Sequence, residues 1–515
     1  MTSRRSFYRK IAYLVFIGLL LLPLSYLSQP ATNRAKEGQG GRGGVLAQLR
    51  AEYKLSEAQL GEIDPTSETL KLATFGMRGV AANVLWGKAK RYDMKKDWTN
   101  LSATLEQIAK LEPHFIPVWR YQAWRVSYNV SSEFDDYRGR YRWVIKGIDF
   151  LKEGIRYNEN EPVLYSDVGW FTAQKIGRAD EHKQFRRLFK EDDDFHGSRP
   201  PELRDNWLVG KESFLEAEKL VEGGASLRKV SPVLFYSQAP MCQMNHSEAL
   251  EEDGIFEEKA RIAWNRAGRE WDAFGNREIP TSFPGIIIRL NGRAESMKDV
   301  EDLRAQFEAL VPPGLREEVA ERRKADLTDS ERQTMEIPVA ERTEEQHRAA
   351  AEAGRKLQVT DEQLAEQLTG AQRSSALELA KALAEADRLT TIIGRYQEVV
   401  NYEFWARRAQ IEQTPQALLA RKRVYEAHQA FAEQTNLQLA KTKYEEGLAS
   451  WRELLDAPQF PGLVQDANLG EELMETIQMY RGILDACDEP FPKDFILQDI
   501  VDLHKHRLDE PWEEE

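Results

Sequence analysis

Cysteine is nearly missing from this chain: only Cys242 and Cys487 occur in 515 residues, which excludes a disulfide-framed scaffold. The sequence leaves open whether these two thiols pair. The motifs that mark common enzyme sites are absent as well: G-x-S-x-G, G-x-x-x-x-G-K-[ST], H-E-x-x-H and C-x-x-C do not occur. Gly38, Gly40 and Gly43 match G-x-G-x-x-G only formally, because no strand-like run precedes them. With 8 histidines, an enzyme built from this chain would have to work with carboxylates, which are abundant and carry no signature. Positive charge is in deficit, with 71 basic against 85 acidic residues and a net charge of −14. Such a surface repels nucleic acid. No cofactor is expected.

Long apolar runs are missing except for one. Ile11 to Leu27 (IAYLVFIGLLLLPLSYL) carries no charge, and none follows until Arg34, so the run is long enough to cross a bilayer core of ~30 Å. Arg4, Arg5, Arg9 and Lys10 precede it, which by the positive-inside rule places the bulk of the chain on the periplasmic side of the inner membrane as a single-pass protein. Two alternatives stay open: a cleaved secretion signal, and a twin-arginine export signal suggested by Ser3-Arg4-Arg5-Ser6-Phe7. The run exceeds the usual signal length and no clean A-x-A follows it, which favours the anchor.

What the chain has is a spacing that suggests a helical repeat, with plain helix amphipathicity as the alternative reading. Ala89 and Ala123 stand 34 residues apart in similar surroundings: Leu101, Leu105 and Ile108 follow the first at helical spacing, Pro113 stops the run, and Trp119 precedes the second alanine by four. This is the layout of a tetratricopeptide (TPR) repeat, a helix pair with a small residue where its helices cross closely. Tyr165, Gly169 and Trp170 repeat the order of Trp119, Ala123 and Trp124 at an offset of 46, with Phe185 and Leu188 at second-helix spacing. The added residues fall near Ser132 to Tyr141, as a loop or a lengthened helix. Phe431, Ala440, Tyr444, Gly447 and Leu448 fit a further unit near the C-terminus, with Pro458 arriving late. The number of true repeats is not fixed by the sequence.

The resulting expectation is an all-α, TPR-like helical-hairpin solenoid with one N-terminal transmembrane helix and a charged helical or linker middle. Its segments are a cytoplasmic tip and anchor (1–28), a flexible tether (29–60), a TPR-like domain (61–195), a helical extension (196–300), a charged linker or arm (301–360), a helical domain with a TPR-like hairpin (361–475) and a tail (476–515). The charged segment follows from 13 acidic and 8 basic residues between 301 and 350 with few large apolar ones. Ile286-Ile287-Ile288 is strand-like but too isolated to found a sheet.

Candidate sites are sparse. Cys242, Met244 and His246 concentrate soft ligands suited to copper(I), against the plainer reading of a buried Met-rich helix turn. Asp180 to His182 and Asp192 to His196 form acidic edges suited to a hard cation or to solvent. Lys88, Arg91, Arg120, Arg125 and Lys175 lie within the repeat block and suggest a basic lining for an acidic peptide, against a solvated outer face. Together these favour a non-enzymatic interaction scaffold that holds a protein or peptide partner. The alternative is a metal-handling or envelope-modifying enzyme using the Met/Cys/His cluster or unmarked carboxylates.

The apolar run, the Trp/Tyr repeats and the segments LATFGMRGVAANVLW, LEPHFIPVWRYQAWRVSYN and KIGRADEHKQFRRLF resemble a bacterial family of membrane-anchored TPR-like proteins frequent in planctomycete-type genomes. The resemblance covers most of residues 1 to 290 and about 400 to 460. Some such sequences carry an "iron-responsive element" label, which no residue here supports. The resemblance implies a repeat fold and carries no site residues with it.

Overall fold

The computed structural model of the protein describes residues 78–432 and 435–507, and these are almost wholly helical. The only strands among them are Ile279–Pro280 and Ile287–Ile288, an antiparallel pair in register Ile279 to Ile288. The isoleucine run thus makes a local hairpin and no larger sheet. The chain divides into two compact units between Val168 and Gly169, inside the 61–195 block.

The first unit comprises α1 (Arg78–Met94), α2 (Trp98–Leu111), α3 (Ile116–Trp124), α4 (Tyr137–Tyr157) and most of α5 (Pro162–Trp170). Asp97 and Asp136 start α2 and α4 by accepting backbone N–H groups with their side chains, which satisfies donors the helix leaves orphaned. Leu101, Leu105 and Ile108 form the buried stripe of α2. Trp119 organises the next pair. Its indole N–H donates to the Pro113 carbonyl at 2.8 Å, and its ring packs on Phe150 and Tyr157.

Ala123 lies at the crossing of α3 and α4. A Cβ on Gly147 of α4 would stand 3.0 Å from the Ala123 carbonyl and 2.0 Å from Ser127 Oγ, so only hydrogen fits there. The extra residues of this pair are taken up by lengthening: α3 continues through a π-helical turn, Arg125–Val130, and α4 runs for 21 residues. The same device recurs 46 positions on, where α5 passes into the π turn Phe171–Lys175. Each π turn directly follows an exposed tryptophan, Trp124 or Trp170, which itself follows the small residue.

In the second unit Gly169 is again at a close crossing, but with a different helix than its spacing predicted. A Cβ on Gly210 would come within 2.8 Å of the Gly169 carbonyl and of Ala173 Cβ. Gly210 belongs to α7 (Asn206–Glu222), whereas Phe185 and Leu188 sit on α6 (His182–Glu191). Arg186 of α6 reaches Ala249, Glu252 and Asp253 at the end of α8 (Pro232–Glu252) instead. After α9 (Glu258–Gly275) comes α10 (Arg293–Leu310).

The charged stretch is not a bare linker. It folds as α11 (Leu315–Ala325), α12 (Asp329–Glu336), α13 (Glu344–Leu357) and α14 (Asp361–Glu366), leading into the long α15 (Gly370–Val399). Phe307, Val311, Val319, Leu364, Leu368 and Ala380 share a small core there. Three successive helices begin with reciprocal capping boxes, Thr328 with Glu331, Thr343 with Gln346 and Thr360 with Gln363, so local bonds replace much of the missing apolar burial.

The last elements are α16 (Tyr402–Glu412), α17 (Pro415–Ala432), α18 (Leu437–Leu455), α19 (Ala467–Ala486) and α20 (Gln498–His504). The predicted C-terminal hairpin is α17 with α18. Gly447 admits Val424, whose Cγ2 would lie 3.0 Å from an added Cβ, and Ala440, Tyr444 and Leu448 are buried while Phe431 is exposed. The 19 residues of α18 account for the late Pro458.

The single-pass inner-membrane placement is corrected. No helix among the described residues is long and apolar enough to cross a membrane, and Ile11 to Leu27, on which that placement rested, lies outside the described residues, as does the tether. Ala123→Leu and Gly169→Leu are expected to destabilise the protein by ~1–3 kcal/mol, because an interior that cannot relax must strain. Ala351→Leu, at an exposed position of α13, is expected to melt with the parent. Thermal melts followed by circular dichroism check both; parent-like melting of the first two would refute the close crossings.

Candidate functional site

Four helices of the second unit each turn one stripe toward a common space. The last turns of α8 supply Glu248, Glu251 and Glu252; α16 supplies Arg408; α17 supplies Arg421, Val424, Tyr425 and His428; α19 supplies Glu472, Glu475, Thr476 and Met479. Within α8, α17 and α19 these spacings of three, four and seven are one helix face. Arg178, Phe256, Trp451 and Leu473 complete the wall of a cavity of about 430 Å³.

Arg421 is its innermost charge. Its Nε donates to both oxygens of Glu412 at 2.8 Å, its other nitrogens donate to Glu472, and Glu251 Oε2 stands 3.7 Å away. The guanidinium also lies 5.1 Å from the Trp451 ring centroid. A buried guanidinium requires such partners, since removing a charge from water without them is prohibitive. Arg408 pairs with Glu248 at 3.3 Å, and Arg178 reaches the other oxygen of Glu248 at 2.7 Å. Every arginine of the cavity is therefore already engaged within the protein.

The carboxyls are driven in opposite directions. Burial, followed by the charge of Glu412, pushes Glu251 up to about 8, and its Oε1 accepts the Trp264 indole N–H at 2.6 Å. Burial also raises Glu472, but Arg421 and Arg408 outweigh it and bring this carboxyl down to about 2, although a third of the side chain is exposed. Burial lowers His428, and its Nε2 is buried without a hydrogen-bond partner. Glu475 is exposed and makes no ion pair among the described residues.

The residues singled out from sequence fare differently. Cys242 is a core thiol against Ala173, Trp207 and Phe214, and burial raises it well above the usual thiol range. Met244 is fully buried. His246 Nδ1 sits 3.0 Å from Asp205, the residue that caps α7. Among the described residues no group of three His, Cys, Asp or Glu side chains is placed to hold a metal ion. Cys487 is a free, half-buried thiol.

Of the basic residues, Arg120 forms a two-pronged pair with Asp167 and Arg125 pairs with Asp93, so both are neutralised internally. Lys88 and Arg91 are exposed on α1, with the Lys88 ammonium 5.7 Å from the Tyr92 ring. Lys175 lies in the π turn of the second unit. The glutamate–arginine cavity was missed because its partners are remote in sequence; the helix period marks Arg408 with Glu412 but not Arg421 with Glu251.

The chain matches no protein-family model, and comparison with curated proteins finds no relative.

Two stability outcomes follow from this geometry. Arg421→Met leaves Glu412 and Glu472 without their buried counter-charge and should cost ~3–5 kcal/mol in a denaturant titration. Glu251 holds its proton to about 8 in the folded chain, whereas an unfolded glutamate loses it near ~4.3. Its contribution is thus complete below the lower value and fades as pH rises through the upper one. Glu251→Gln keeps an acceptor for Trp264 and should be more stable than the parent above about pH 8, the two converging in acid. Titrations across this range that stay parallel would contradict the assignment.

Proposed function

We propose that this protein is a non-enzymatic, TPR-like helical scaffold that holds a protein or peptide partner, and that the cavity of its second unit seats a positively charged side chain of that partner. The observation that carries this reading is the charge balance of the cavity wall. Of the five glutamates on the wall Glu251 keeps its proton, so four carboxylates face three arginines, and all three arginines are bonded to glutamates. The uncompensated remainder is negative. In a confined space of lowered dielectric, such an excess favours a cation over an anion. The small residues at the crossings Ala123/Gly147, Gly169/Gly210 and Gly447/Val424 support the helical-hairpin part of the reading.

A second reading has one observation behind it. Glu251 and Glu472 line one cavity with their acidities pushed apart, the arrangement by which a fold keeps one carboxyl protonated and another ionised for acid–base work. The scaffold reading is preferred because both groups are tied into internal bonds, Glu251 to Trp264 and Glu472 to Arg421.

Calorimetric titration of the full chain with short capped peptides checks the proposal. Peptides with a basic residue should bind, those with an acidic residue should not, and raising the salt should weaken binding. Glu475→Gln should reduce affinity for the basic peptides without changing the melting temperature. Equal binding of acidic and basic peptides would remove the basis of the assignment.

A further inference from the structure

Three carboxyl groups compete for one guanidinium beside the cavity, and they hold unequal places. Glu412 meets Arg421 Nε with both oxygens at 2.8 Å, and Glu472 accepts from the other two nitrogens. Glu251 stands outside that contact, with its Oε2 3.7 Å from the same Nε. Its Oε1 accepts the Trp264 indole N–H at 2.6 Å, which leaves Oε2 as the atom to carry a proton. A carboxyl so placed ionises only by adding a third negative charge beside Glu412 and Glu472, in a site withdrawn from water. Its acidity agrees with the geometry: burial, and then the charge of Glu412, push Glu251 up to about 8.

The other charges that face Glu251 are largely spoken for. On its own helix, Glu248 is held by Arg408 of α16 and by Arg178, and Glu252 by Arg186. Glu412 and Glu472 share Arg421. Against its burial, the charges of Arg421 and Arg408 keep Glu472 ionised. From α17 come Tyr425 and His428, and burial lowers His428. Glu475 of α19 is exposed, and α9 contributes the neutral indole of Trp264. The proton on Glu251 thus occupies the place of a counter-cation. Because this carboxyl lines the cavity, a positive group entering there stabilises its ionised form, and the proton opposes that group to the same extent.

We propose that the cavity is a cation-for-proton exchange site, in which a positively charged side chain of the partner enters as Glu251 gives up its proton to solvent. This step rests on the cationic-partner reading above. One positive charge enters and one leaves, so the site keeps its net charge, and the buried pairs around Arg421 stay intact. Binding therefore releases a proton and tightens as the pH rises. Once Glu251 has ionised on its own, the dependence flattens.

The test is calorimetric and uses the full chain with a capped pentapeptide bearing one central arginine, whose charge is constant over the range. Titrations at one pH in two buffers of different ionisation enthalpy read the number of protons exchanged. Most of one proton should be released at about pH 7 and almost none at about pH 9.5, and affinity should rise about tenfold between about pH 7 and about pH 9. Glu251→Gln keeps an acceptor for Trp264 but has no proton to give. It should bind the peptide without proton release, and its affinity should be flat over the same range. The proton count of the parent decides the matter even where the variant folds poorly. Binding without proton release at about pH 7, or release that persists in Glu251→Gln, overturns this inference and leaves the cationic-partner reading standing. Failure of the arginine peptide to bind anywhere in the range overturns both.

Discussion

The second unit is organised around one buried cation. Arg421 is largely withdrawn from water, so the fold must bring carboxylates to it, and it does so from α16 through Glu412 and from α19 through Glu472. Two helices, α16 and α19, are thereby tied to α17 through a single guanidinium. Glu251 arrives from α8 as a third carboxyl at the edge of the same charge. One arginine cannot compensate all three, and the excess is resolved by keeping a proton on Glu251. With that proton in place the cavity they line still carries four carboxylates against three arginines.

Close helix crossings are the second constraint, and they recur at several helix pairs. Gly147, Gly154, Gly210 and Gly447 each occupy a point where a methyl group would press on a neighbouring helix. Large rings fill the grooves beside them, Trp119 against Gly154 and Phe214 near Gly169. The π turns after Trp124 and Trp170 prolong α3 and α5, and Ser127 of the first and Ala173 of the second lie at these crossings.

Polar chemistry in this protein is therefore mostly structural in its first commitment and available to a ligand only in what is left over. Asp205 caps a helix and meets His246; Arg186 ties α6 to α8; Cys242 fills core space. Buried polar atoms without a hydrogen-bond partner are spread over the described residues, on Gln122, Thr172, Asn206 and His428 among others.

The sequence by itself determined the helical class, the small residues at Ala123, Gly169 and Gly447, and the buried stripe of α2, because each depends on periodicity within one or two neighbouring helices. It also contained the three Thr-x-x-Glu/Gln caps of the charged stretch, a signal outweighed in the reading by that stretch's poverty in large apolar residues. Tertiary structure alone decided that Gly169 meets α7 rather than the helix next in line, since the choice depends on which apolar faces remain uncovered. It alone decided, too, which few of 85 acidic and 71 basic residues lose their water. Glu251 and Arg421 stand 170 positions apart in the chain, and nothing in their local sequence distinguishes them from solvated glutamates and arginines; burial, which only the assembled helices create, gives them their chemistry.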